Sequence, residues 1–131
     1  MRKIHCVFLF VCVFFVVFQS QDSNENWGSF TSAKTYSYDS KYYAIQNTKE
    51  RDNISFIDVV IYNNKDEMVY SFSPARAFDF WGICWENDNY NIWVQSGDVG
   101  TLCYSYDNKE WSLNASAIRP DYIVSKYDDI T

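Results

Sequence analysis

Between residues 54 and 113 apolar and polar positions alternate with a period of two, and the alternation is cut at regular intervals by clusters of Asn, Asp and Gly. Side chains on a strand point alternately to its two faces, so this pattern predicts successive antiparallel strands joined by tight turns. The clearest is ISFIDVVIY, residues 54–62, rich in β-branched and aromatic residues and closed by Asn63, Asn64, Lys65 and Asp66. Further strands are predicted at 42–45, 67–73, 80–86, 90–96, 102–106 and 111–113. The charged run NTKERDN, 47–53, reads as a loop, Pro74 ends a ladder because it has no amide hydrogen, and 75–77 reads as a crossover or a helical turn. No amphipathic helix emerges, so the expected fold is all-β: an antiparallel meander of about six to seven short strands.

Turn positions fix two registers. A two-residue turn at Asn64 and Lys65 sets Ile61 against Met68, Val59 against Tyr70 and Ile57 against Phe72. A turn at Asp88 and Asn89 sets Trp85 against Ile92 and Ile83 against Val94, which makes one face of that hairpin wholly apolar. Leu102 and Tyr104 extend that face, so Cys84, Trp93 and Cys103 point to the opposite one.

The first residues do not belong to this pattern. Arg2, Lys3 and His5 precede an apolar run from Cys6 to Phe18, the signature of a secretory signal peptide over residues 1–20, with an uncleaved anchor through residues 4–18 as the alternative. Residues 21–40 read as a polar lead-in, and 41–131 as one all-β domain whose tail lies over the sheet through Tyr122, Ile123 and Tyr127. About 110 residues remain after the leader, enough for one core without covalent staples.

Charge narrows the partners. The chain carries a formal charge of −6; without Arg2 and Lys3, nine basic residues face 17 acidic ones, giving −8. With no basic run, nucleic acid and anionic membrane surfaces are poor partners, and the membrane enters only through the N-terminal segment. The single histidine, His5, lies in the leader, so the mature chain lacks the base of a Ser-His or Cys-His pair and any histidine metal ligand. No cofactor is implied.

SGDVGT, residues 96–101, lies between the strands NIWVQ and LCYSY. Through Ser96, Asp98 and Gly100 it resembles the Asp-box turn that joins the two outer strands of a blade in sialidase-like β-propellers. The resemblance implies a structural role, in which the aspartate accepts backbone hydrogen bonds and the glycine permits the turn, and a sheet shaped like a propeller blade. It implies no sialidase activity, which needs an arginine cluster; the mature chain has Arg51, Arg76 and Arg119.

Four of the five tryptophans fall within residues 78–111, and Trp93, on the face away from Trp85, is the expected surface aromatic unless both faces are covered. Trp93, Glu86 and Asp98 are therefore the candidate ligand-binding residues, and a carboxylate pair drawn from Asp79, Glu86, Asp88 and Asp98 is the route by which the chain would hydrolyse glycosides. Arg76 and Asp79 are placed to form an ion pair across the crossover. Cys84 and Cys103 either form a disulfide, as an oxidising compartment favours, or are two small buried residues. In a flat meander the intervening strand holds their Cα atoms ~9 to 10 Å apart, beyond the reach of a bridge. Asn53 and Asn114 begin N-x-S sequons. The functional expectation is a small exported domain that binds protein or peptide through a sheet face or edge and has no catalytic activity; the alternative is a carbohydrate-binding module using surface aromatics.

Overall fold

The computed structural model describes residues 28–126, so the leader, Trp27 and Tyr127 lie outside the described residues. The fold is all-β, with eight strands: β1 (Thr35–Tyr36), β2 (Tyr42–Arg51), β3 (Ile54–Asn63), β4 (Met68–Phe72), β5 (Gly82–Trp85), β6 (Ile92–Ser96), β7 (Gly100–Asp107) and β8 (Glu110–Leu113). They form two four-stranded antiparallel meanders, β1-β2-β3-β4 and β5-β6-β7-β8, rather than the single run of six or seven expected. The division falls after Pro74. The chain first stays extended: Ile57 N–H donates to Ala75 O and Ala77 N–H to Ser55 O, so the crossover makes a single antiparallel bridge to β3, Arg76 against Phe56, and not a helical turn. It then leaves to begin the second sheet. Among the described residues no helix is long and apolar enough to cross a membrane.

β2 reaches Arg51, well past the end expected for it, and the charged run is strand rather than loop. Only Asp52 and Asn53 turn, with φ of 52° and 63°, the left-handed pair that a tight hairpin requires and that Asx residues tolerate. Asn53, the first sequon residue, is thus at an exposed hairpin tip. Residues 47–53 escape pattern reading because this ribbon projects beyond the core and both its faces are wet.

The β3–β4 hairpin keeps Tyr70 and Phe72 on the core face but not in the expected pairs, and Met68, expected there against Ile61, falls on the outer face, 63 % exposed. Ile61 faces Tyr70 and Val59 faces Phe72, while Tyr62 faces Met68 across a bulge that absorbs Val69. The longer turn is stabilised by Asn63, whose Oδ1 accepts from the amides of Lys65 (2.9 Å) and Glu67 (3.0 Å). In the second sheet Trp85 faces Ile92 and Ile83 faces Val94, as expected, and Leu102 and Tyr104 continue the apolar face.

The inner faces of the two sheets share one core: Ala44, Ile57, Val59 and Ile61 from the first, Ile83, Trp85, Ile92, Val94 and Trp111 from the second. Each of the buried valines and isoleucines contributes on the order of 1.5–3 kcal/mol by leaving water. The second sheet is also covered behind. Cys84, Trp93 and Cys103 pack there against Ile123, with Phe30, Ala117 and Tyr122 around them. The covering layer is two terminal straps. In the stretch expected as lead-in, Thr31 pairs with Ile83 through two 2.9 Å backbone bonds. From the C-terminal side, Tyr122 accepts from Asn87 N–H at 2.8 Å, and Gln95 Oε1 accepts from Ser125 Oγ and Lys126 N. The outer face of the first sheet has no comparable cover among the described residues.

Candidate functional site: the uncovered aromatic face of the first sheet

The residues singled out from sequence do not assemble into one site. Trp93 is 4 % exposed, and its indole Nε1 donates to Glu86 Oε2 at 2.7 Å. Glu86, 8 % exposed, also accepts from the side-chain amides of Asn89 (2.8 Å) and Asn91 (3.4 Å). The expectation of a surface Trp93 is therefore corrected: the straps cover the face to which alternation directs it. Glu86, a candidate ligand-binding residue from the sequence, is a buried acceptor that satisfies the indole. Cys84 and Cys103 are free buried thiols, so the disulfide is not formed. They flank Trp93 from the two neighbouring strands, with the intervening β6 setting their separation. Burial pushes the Cys84 thiol up to about 11 and raises that of Cys103, so both are held protonated.

Asp98 lies at the other end of β6 and acts as a latch. Its Oδ1 accepts from Arg76 Nη2 (2.7 Å) and Nε (2.9 Å), and its Oδ2 from Arg76 N–H (3.1 Å). Ser96 Oγ donates to Arg76 O at 2.6 Å and accepts from Asp98 N–H, while Gly100 takes a φ of 74°. The turn ties β6–β7 to the crossover. It joins the two middle strands of its sheet, whereas the blade motif joins the outer two. The expected Arg76–Asp79 pair is likewise corrected: Arg76 goes to Asp98, and Asp79 meets Lys126 Nζ at 3.4 Å.

Arg76, through its side chain and its amide, holds the Asp98 carboxyl below the usual carboxylate range. Because the folded value is depressed, the latch contributes fully above the unfolded carboxylate pKa of about 3.9 and is lost as pH falls through the lower folded value. Asp98→Asn should therefore be less stable than wild type at pH 7, and the gap should close as acidification passes the unfolded carboxylate value of about 3.9 and then the lower folded one. Urea midpoints of both proteins across pH 2 to 7 check this; a constant gap would show that the charge is irrelevant.

The surface feature that stands out is on the first sheet. β1, β2 and β3 place Tyr36 against Tyr43 and Tyr43 against Tyr62, all on the face away from the core. The Tyr43 and Tyr62 rings stack at 5.1 Å with 14° between planes, and Tyr36 lies 5.7 Å from Tyr43. Tyr43 donates its hydroxyl to Asp66 Oδ1 at 2.7 Å, which, with burial adding, pushes the phenol up to about 12 and keeps it a donor at neutral pH. Lys34 Nζ lies 4.4 Å from the Tyr43 ring centre and 5.3 Å from that of Tyr36. Farther along the same face Arg51 lies 4.2 Å over Phe56. Half-buried Ile45 and Val60 fill the centre.

The sequence reading missed these tyrosines, although the signal was there. Ile57, Val59 and Ile61 define the buried parity of β3, and Tyr62 has the other parity. What alternation along one strand does not reveal is that Tyr43 and Tyr36 align beside it.

Among the described residues no three metal-ligating side chains cluster. An open cleft of about 350 Å³ lies between the terminal straps, lined in part by Phe30, Phe80, Gln95, Tyr122 and Lys126. Its polar floor, Gln95, is already occupied by strap residues. The tyrosine face offers hydroxyls, ring edges and cations. Comparisons with protein-family models, with curated proteins and with solved structures return no match, so function has to be read from this geometry alone.

Proposed function

We propose that the chain is a small non-catalytic protein-binding module, exported or anchored by its N-terminal segment, whose partner docks on the outer face of β1–β3. One observation carries this reading: of the sheet faces, this one lacks a covering sheet or strap among the described residues, and it bears an in-register row of tyrosines. Tyrosine supplies large, rigid contact area at low entropic cost and is enriched in protein interfaces. The same geometry disfavours a sugar stacked on Tyr43, because that ring is stacked by Tyr62 and capped by Lys34.

The glycan alternative retains Tyr38, 43 % exposed beside Tyr90, whose hydroxyl donates to Asp39. Selection of binders from a displayed peptide library, with amide-shift mapping, tests the proposal. Selected binders should perturb Tyr36, Tyr43 and Tyr62, and Tyr43→Ala should weaken them roughly thirty-fold, the effect of losing a ~2 kcal/mol anchor, without loss of fold. Perturbations confined to other surfaces, or a soluble glycan binding at Tyr38, would replace this reading.

A further inference from the structure

The two N-x-S sequons, Asn53-Ile54-Ser55 and Asn114-Ala115-Ser116, are treated by the fold in opposite ways. Asn53 stands at the tip of the β2–β3 hairpin, and Asn53, Ile54 and Ser55 are all exposed. Among the described residues neither the Asn53 amide nor the Ser55 hydroxyl has a hydrogen-bond partner. The left-handed φ of 63° accounts for an Asn at that position, since Asx residues tolerate it. It does not account for the hydroxyl two residues on. Asn114, by contrast, is used by the fold. Its Nδ2 donates to Ser105 Oγ at 3.0 Å, its Oδ1 accepts from Ser116 Oγ at 3.0 Å and from Ser116 N–H at 3.2 Å, and its own N–H donates to Cys103 O at 2.9 Å. The amide and the hydroxyl of that sequon are both engaged in turning the chain out of β8.

Resting on the export proposed above, we infer that Asn53 is the N-glycosylation site of this chain and that Asn114 stays bare. The donor is an oligosaccharide carried on a lipid pyrophosphate. A bond forms between Asn53 Nδ2 and the anomeric carbon, and the bond from that carbon to the pyrophosphate oxygen breaks. The lipid pyrophosphate leaves with the electron pair, and the amide nitrogen gives up one of its two protons to a base of the transferase. Recognition needs the amide and the hydroxyl together. At Asn53 both remain in water after folding, and the terminal pairs Arg51–Ile54 and Glu50–Ser55 lie on a ribbon whose two faces are wet, so the tip opens locally at little cost. At Asn114 transfer has to compete with closure of the turn.

The site is also compatible with the docking face. Alternation puts Ser55 on the side of β3 that carries Ile57 and Val59, opposite the side of Tyr62. The tip lies beyond Arg51, and from Tyr43 to Arg51 the strand runs ~26 Å at ~3.3 Å per residue. A glycan at Asn53 covers the projecting ribbon and leaves the tyrosine row open.

The test is expression of the full chain, with its own N-terminal segment, in cultured animal cells, with a C-terminal tag bearing an unstructured Asn-Ala-Thr acceptor that reports delivery to the secretory compartment. Peptide N-glycosidase converts each glycosylated Asn to Asp, and peptide mass mapping reads the conversion site by site. Asn53 should be converted in most molecules and Asn114 in few. Ser55→Ala should abolish conversion at Asn53 while leaving the turn residue in place, Ser55→Thr should keep it, and Asn114→Gln should change nothing. A glycosylated tag beside a bare Asn53 would overturn the inference and leave export standing. Conversion at Asn114 equal to that at Asn53, or a glycan persisting at Asn53 in Ser55→Ala, would overturn it as well. A bare tag on an accumulated chain would show that the N-terminal segment does not deliver the domain, and would remove the export reading and this inference with it.

Discussion

Trp111→Ala should lower the unfolding free energy by about 4 kcal/mol, a large share of the roughly 5–15 kcal/mol that holds a domain of this size together. Trp111 is 1 % exposed and comes from β8, a strand of four residues at the edge of its sheet. Its ring lies 4.7 Å from Tyr106, 5.5 Å from Tyr42, 5.7 Å from Tyr70 and 6.3 Å from Trp85, so it touches aromatics of both sheets at once. Its Nε1 donates to Tyr90 O at 2.6 Å and anchors the end of the β5–β6 connection. Removing it opens a cavity between the layers and orphans that carbonyl, two costs that a rigid aromatic lattice cannot relax away. Leu113→Ala, on the same strand but 54 % exposed, should stay within ~0.5 kcal/mol. Urea denaturation of the pair is the check, and a Trp111→Ala cost near that of Leu113→Ala would mean that something other than this lattice joins the sheets.

That lattice shows what alternation reveals and where it stops. Period two in ISFIDVVIY, and the Trp85–Ile92 and Ile83–Val94 pairs, were legible because one face of each strand must be apolar to be buried and tight turns leave little freedom of register. The partition into two sheets was not legible, since local pairing looks the same in one long meander and in two stacked ones. Only Pro74 marks the break. Trp93 illustrates the same limit: parity correctly placed it opposite Trp85, but the layer that buries it comes from residues around Phe30 and Ile123, segments without periodicity. Asp79, three residues from Arg76, was the natural partner along the chain, yet the β6–β7 turn folds back to deliver Asp98 from 22 residues away. Distance in sequence is a poor guide wherever turns meet crossovers. The tyrosine row was half visible, in the parity of Tyr62, and became a surface only once β1 and β2 were seen beside β3.

Glu86→Ala should cost about 3 kcal/mol, even though it deletes a charged group from the interior. The carboxylate accepts three donors, the Trp93 indole and the amides of Asn89 and Asn91, and with both faces of the second sheet covered the indole has no water to turn to. Truncation leaves that N–H buried and unsatisfied, which costs more than the bond itself contributed. Glu86→Gln should cost less, about 1–2 kcal/mol, because its carbonyl, set in the place of Oε2, can still accept from Trp93 and Asn91 while its amide meets the Asn89 donor, from which it cannot accept. Trp93→Phe removes the donor instead, and the cycle built from Glu86→Gln, Trp93→Phe and the double variant should show a coupling of about 1 kcal/mol or more. Additive losses would mean that the two side chains are neighbours without being partners. A Glu86→Ala protein as stable as wild type would go further, because a buried carboxylate that contributes nothing to the fold is one kept for a ligand, and the binding role expected of Trp93 and Glu86 would have to be reopened.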